Sequence, residues 1–205
     1  MTRSLKTLLI ALMLGAVPAA TVAALPARAQ AADPAVAQVQ GFYNTLLAAM
    51  KQGGSAKGRY DRLKPVVEKA FDLPAMTATA VGPTFAGMSD ADRTALVEAF
   101  SRMTIANYAK NFDSFGGESF TVDPAAITRG SDRFVKSTMK TSRETIAFNY
   151  RLHQVDGAWK VTDVYLAGNI SQMAQKRSDF ASTLASGGPQ GLAKRINALS
   201  DQMLG

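Results

Sequence analysis

Apolar residues recur at helical spacing through the first half of the chain and alternate with polar ones in much of the second. Between Pro34 and Lys51 the stripe Val36, Val39, Phe42, Tyr43, Leu46, Leu47 and Met50 returns every three to four positions. That spacing predicts one helix with a single buried face, ended by Gly53-Gly54-Ser55. A second helix is expected from Arg59 to Phe71, with Leu63, Val66, Val67 and Phe71 inward. Asp72-Leu73-Pro74 reads as a cap with proline in the first turn, opening a short helix from Ala75 to Val81 before Gly82-Pro83. Ser89-Asp90-Ala91-Asp92 starts another, its acids opposing the helix dipole, and Val97, Phe100, Thr104, Tyr108, Phe112 and Phe115 follow at helical spacing as one aromatic-rich face.

After Gly116-Gly117 the period changes to two. Strands are predicted at Ser119–Val122, Phe134–Thr141, Ile146–Leu152 and Trp159–Leu166. Ile146, Phe148, Tyr150 and Leu152 face one way, opposed by Ala147, Asn149, Arg151 and His153. Asp156-Gly157 is a tight hairpin signal. Two closing helices carry Ile170, Met173, Phe180 and Leu184, then Leu192, Ile196, Leu199 and Met203, joined at Gly187-Gly188-Pro189. Helices, then an antiparallel sheet, then helices make an α+β layout. The expected architecture is a curved four-stranded antiparallel sheet covered by the N- and C-terminal helices around an apolar cavity, with an NTF2-like shape.

The N-terminus stands apart. Arg3 and Lys6 precede an apolar run from Leu8 to Val17, broken by Pro18 and followed by Ala27-Arg28-Ala29. This is the three-part pattern of a secretory signal peptide, too short to span ~30 Å of hydrocarbon. Residues 1–29 are therefore expected to be removed near Ala29, leaving residues 30–205 as one exported domain. The leader takes three of the seven net positive charges with it, and the apolar fraction falls from 47% to roughly 44%, ordinary for a globular domain.

Composition narrows the chemistry. No cysteine excludes disulfides and thiolate sites, and one histidine excludes His-rich metal centres. No G-x-S-x-G, Walker loop or G-x-G-x-x-G is present. Basic residues are scattered, with no aromatic–basic platform for nucleic acid. His153 falls on a polar strand face. Asp163 is more informative, because Trp159, Val161, Asp163 and Tyr165 share one face by strict alternation. A β-bulge could turn it outward, backbone N–H groups or Arg177 could hold it, or it could act as a general base beside Tyr150.

Several segments are similar to one known family: Phe71-Asp72-Leu73-Pro74-Ala75-Met76-Thr77, Ala80-Val81-Gly82-Pro83, the Ser89–Phe112 helix, Trp159-Lys160-Val161-Thr162-Asp163-Val164-Tyr165-Leu166 with Gly168-Asn169-Ile170-Ser171, Lys176-Arg177-Ser178-Asp179-Phe180, and Gly191-Leu192. Over nearly the whole exported chain they resemble the toluene-tolerance, or MlaC-like, family of periplasmic lipid-binding proteins. The Phe71–Thr77 and Phe115–Phe120 segments look more like its hopanoid-biosynthesis-associated (HpnM) subgroup. The resemblance implies a non-catalytic carrier of a hopanoid or phospholipid between inner and outer membranes, working with transport components of both, with no cofactor, metal or nucleic acid.

On that reading Phe148, Tyr150, Leu152, Val161 and Val164 line the sheet side of a lipid cavity; Val164 requires the bulge. Leu73, Met76, Val81, Phe100, Tyr108, Phe112, Met173 and Phe180 supply the helix side. Seven methionines remain beyond the leader, and Met suits an irregular apolar lining. The competing readings are a small-molecule enzyme using Asp163 and Tyr150, and a periplasmic adaptor with a dry core.

Overall fold

A computed structural model describes residues 33–205; the leader and its cleavage position lie outside the described residues. Helix α1 (Pro34–Gln52) is capped by Asp33, whose carboxylate accepts from the Ala35 amide at 2.8 Å, with Pro34 in the first turn. Gly53, at φ 61°, closes it. Helix α2 (Ala56–Ala70) starts three residues earlier than the apolar pattern predicts, because Ser55 accepts from Gly58 N and caps the added residues Ala56, Lys57 and Gly58, none of which is buried. Helix α3 (Leu73–Val81) is capped by Asp72, and a 3₁₀ turn (Pro83–Gly87) leads to α4 (Asp90–Asn111), capped by Ser89.

The sheet is antiparallel and has seven strands where four are expected: β1 (Ser119–Val122), β2 (Ile127–Arg129), β3 (Asp132–Val135), β4 (Ser137–Lys140), β5 (Thr145–Val155), β6 (Ala158–Leu166) and β7 (Ile170–Ser171). The long strand β5 organises it. Strands β3 and β4 lie on the same edge of β5 in the same register, Val135 opposite Tyr150 and Thr138 opposite Ala147. They are one expected strand interrupted at Lys136. Strands β1 and β2 flank β4 and β3 in turn, and β6 pairs the other edge of β5, with β7 outermost. The unforeseen β2 and β7 are three and two residues long, too short to show alternation.

Two irregularities interrupt the regular pairing of the sheet. One is the break at Lys136. The other is a bulge in β6: Arg151 opposes Asp163 but Leu152 opposes Val161, so Thr162 is an extra residue. The β5–β6 hairpin turns on Asp156 and Gly157, both at positive φ (49° and 80°), the type I′ requirement.

Helix α5 (Gln172–Leu204) runs as two segments, because Gly188 sits at φ 63°, ψ −170° just before Pro189. One hydrophobic core joins α1–α5 to the inner sheet face. Phe71 stitches the layers, bridging to Val161, while Asp72 N donates to the Val161 carbonyl at 2.9 Å. Among the described residues no helix is long and apolar enough to cross a membrane.

Candidate functional site

The sheet and helices enclose a cavity of about 670 Å³. Its sheet wall follows from strand alternation corrected by the bulge. Phe148 and Tyr150 of β5 face inward, and the extra residue Thr162 shifts the phase of β6 so that Val164 and Leu166, opposite Tyr150 and Phe148, face inward too. Strict alternation would turn Val164 away. Helix α4 presents Phe100, Met103 and Tyr108, with Phe112 at its end, and α5 presents Met173, Leu199 and Met203. Five of the seven methionines beyond residue 29 stand on this wall, where a flexible unbranched side chain suits an irregular apolar lining. Where the cavity meets solvent the lining becomes polar: Asn107, Lys110, Asn111 and Gln202 are exposed, and Gln172 and Lys176 are half-buried.

Of the residues expected on the wall, Met76, Phe100, Tyr108, Phe112, Phe148, Tyr150, Val164 and Met173 are brought together there. Leu73, Val81, Leu152, Val161 and Phe180 are instead buried in the packed core. Leu152 and Val161 pair with each other on the inward face, where both are packed into the core rather than bordering the void. Phe180 turns toward α4 and meets Phe100 edge to face at 6.4 Å. Sequence reasoning missed Tyr43, Phe71, Met103, Phe120, Met139, Leu166, Leu199 and Met203, as well as the polar mouth. Tyr43 belongs to a readable stripe, yet periodicity identifies a buried face without saying whether that face meets side chains or a void.

The buried end of the cavity is aromatic. Tyr43 stacks on Phe120 at 4.2 Å and meets Tyr150 edge-on at 5.7 Å, and Tyr108 packs against Phe42 at 5.1 Å. The Tyr43 hydroxyl lies 2.7 Å from Ser137 Oγ. Burial pushes the Tyr43 phenol up to about 12, opposed by its hydrogen bonds with Ser137 and Tyr150. Burial also holds Tyr108 and Tyr150 well above the ordinary phenol value, with neighbouring phenols adding to it. All three are neutral hydroxyls at physiological pH.

Asp163 is not part of this wall. The bulge places it opposite Arg151 on the far side of the sheet from Tyr150, yet it is only 6% exposed. Its Oδ1 accepts from Val164 N at 2.8 Å and Met173 N at 3.2 Å, and its Oδ2 accepts from Ser171 Oγ at 2.6 Å. Ser171 in turn caps α5 by accepting from Ala174 N. The carboxylate therefore anchors the start of α5 to β6, and the general-base reading beside Tyr150 does not fit this geometry. Arg177 is not its partner: the guanidinium donates through Nε and Nη2 to the Thr79 carbonyl at 3.0 and 2.8 Å, tying α5 to α3. His153 lies on the outer face, 3.4 Å from Asp132, which also pairs with Arg151. No cluster of potential metal ligands occurs among the described residues.

A family model described as MlaC protein matches residues 40–198. No curated protein sequence matches the chain. Among solved structures, a phospholipid-binding protein from Ralstonia solanacearum, determined in complex with a phospholipid, superposes with a TM-score of 0.73 at 21% identity. The match covers 83% of this chain and 99% of that one. At this identity the likeness establishes a shared fold.

Proposed function

The chain belongs to the MlaC protein family, and from that premise we propose that it is a soluble periplasmic lipid carrier without catalytic activity. It moves a phospholipid or a hopanoid between inner and outer membranes, exchanging its cargo with transport components at each. Residues 1–29 are the export leader, cleaved near Ala29, and residues 30–205 are the lipid-binding domain. The Phe71–Thr77 and Phe115–Phe120 segments favour the hopanoid-associated subgroup.

The observation that carries this reading is the cavity: rich in methionine and aromatic side chains along its walls, with its charged and amide side chains at the mouth. Burying hydrocarbon gains ~0.8 kcal/mol per CH₂ relative to water. Against a bilayer, where the same groups are already buried, the exchange is close to neutral, so loading and unloading are both possible. The polar mouth suits a headgroup left in water, and Lys110 and Lys176 favour an anionic one. That the similar Ralstonia protein was solved with a phospholipid supports the same class of cargo here. Asp163, occupied by α5, offers the enzyme reading no base.

A vesicle transfer assay tests the proposal. The purified protein should accelerate movement of a labelled phospholipid from donor to acceptor vesicles in proportion to its concentration. Transfer at the protein-free rate for both phospholipid and hopanoid would overturn it.

A further inference from the structure

Among the described residues the large apolar side chains left exposed are Phe115, Ile127, Leu166 and Ile170. Two of them share one place. Leu166 ends β6, Ile170 begins β7, and the two are cross-strand partners, so they stand on the same face of the sheet. That face is the inward one, because Leu166 also lines the cavity. The pair thus carries the apolar wall past the mouth and into solvent, with Leu166 37% and Ile170 51% exposed. The turn between them, Ala167-Gly168-Asn169, bears no charge and is bonded internally. Asn149 Nδ2 donates to the Gly168 carbonyl at 2.9 Å, and Asn169 N donates to the Leu166 carbonyl at 3.4 Å.

The charge on the cavity lining has one sign: Lys110 and Lys176 belong to it, and among the described residues no carboxylate does. Lys110 is exposed in the last turn of α4. Lys176 stands near the start of α5, and Asp179 at 3.4 Å offsets part of its charge. An apolar edge beside lysines matches the boundary of an anionic bilayer, where hydrocarbon lies directly under phosphate. Two apolar side chains are too little for a stable protein interface, which buries about 800 Å² on each partner. We infer that the β6–β7 hairpin is a docking wedge for an anionic bilayer. Leu166 and Ile170 enter the interface while Lys110 and Lys176 meet its phosphates, and the cavity mouth is seated on the lipid. This rests on the lipid-carrier reading and adds to it a direct route, in which hydrocarbon passes along an apolar rim without crossing water.

The chain has no cysteine, so a single thiol can carry a dye at a chosen position. Ile170→Cys and Ile127→Cys are each labelled with the environment-sensitive fluorophore NBD. Each is mixed with vesicles of equimolar phosphatidylethanolamine and phosphatidylglycerol, or of phosphatidylcholine alone. Ile127 is also exposed but lies on β2, across β5 from β7, so its label controls for adsorption of the dye. The label at 170 should brighten and shift to the blue on the anionic vesicles only, and the label at 127 should not respond. In flotation of unlabelled protein with the anionic vesicles, Ile170→Asp should bind about tenfold more weakly. Replacing both lysines, Lys110→Gln with Lys176→Gln, should weaken binding roughly twentyfold. Thermal unfolding verifies that each variant is folded, and Ile170→Ser repeats the measurement with a milder change. Lipid already held by Ile170→Asp should equal that of wild type in native mass spectrometry, since Ile170 is outside the cavity lining.

A label at 170 that ignores the anionic vesicles would overturn the inference, as would an equal response at 127 or on phosphatidylcholine. Flotation of folded Ile170→Asp and Ile170→Ser at the wild-type level would overturn it too. Lipid transfer that proceeds while the label at 170 stays in water would sink the wedge alone, assigning docking to a protein partner and leaving the carrier reading intact. If the hairpin docks and no lipid is ever taken up, the docking surface stands and the carrier reading has failed.

Discussion

Replacing Asp163 with alanine should weaken the attachment of α5 to the sheet, and the size of the effect can be worked from its contacts. The buried carboxylate accepts three bonds, from Val164 N, Met173 N and Ser171 Oγ. Hydrogen bonds to a charged acceptor are worth about 1.5–3 kcal/mol each but do not add, and a negative charge at a helix N-terminus contributes ~0.3–2 kcal/mol more. Water entering the vacated site offsets part of the loss, so Asp163→Ala should cost about 3 kcal/mol, or about 6–12 °C in Tm for a chain of this size. Asp163→Asn should cost about 1 kcal/mol. Its carbonyl oxygen can keep both backbone donors, and its amide can donate to Ser171 Oγ, leaving only the serine proton to find a new acceptor. Urea denaturation of the two variants, with lipid transfer measured beside it, checks both values. The reasoning fails if Asp163→Ala is as stable as wild type. It also fails if Asp163→Asn stays folded and stable but loses transfer, which would restore a direct role for the carboxylate in the cavity.

Val164→Trp should fill part of the cavity from its sheet wall and reduce lipid uptake several-fold with circular dichroism unchanged; undiminished uptake would place the cargo elsewhere. Gly188→Ala should destabilise by about 2 kcal/mol, because no neighbour lies within 4 Å of the added methyl and the strain is purely that of φ 63°, ψ −170°. Arg59, 7% exposed, donates to the carbonyls of Ala109 and Gly54, so Arg59→Met should cost about 2–3 kcal/mol in chemical denaturation. The Tyr43 phenol, raised from 10 to about 12, contributes stability that is complete below pH 10 and lost as pH rises toward 12. Denaturation midpoints between pH 9 and 12 should fall less steeply in Tyr43→Phe than in wild type.

Legibility in the sequence followed the strength of local signals. The α1 stripe, the Asp72 and Ser89 caps, the Asp156-Gly157 hairpin and the break at Gly187-Gly188-Pro189 are each written in a few adjacent residues, and each stands where expected. Lys136, which splits one strand into β3 and β4, continues the alternation around it and gives no warning. The bulge at Thr162 surfaces only indirectly, through a carboxylate on an apolar face; alternation posed the question of Asp163 and register answered it. The wall was half legible for a similar reason. Period two put Phe148, Tyr150 and Leu152 on one face, but the packing of helices distant in sequence decides that Leu152 lies in the core while its neighbours border the void. The polar mouth was invisible to a search for apolar lining, since Asn107, Lys110 and Gln202 look like any solvated helix residues until the two helices are placed together.

Native mass spectrometry of protein purified from the periplasm without detergent tests the central claim most directly. The account predicts a species heavier than the bare chain by the mass of a lipid, released on activation, and restored to delipidated protein by incubation with phospholipid or hopanoid vesicles. A spectrum showing only the bare chain, before and after such incubation, would contradict it.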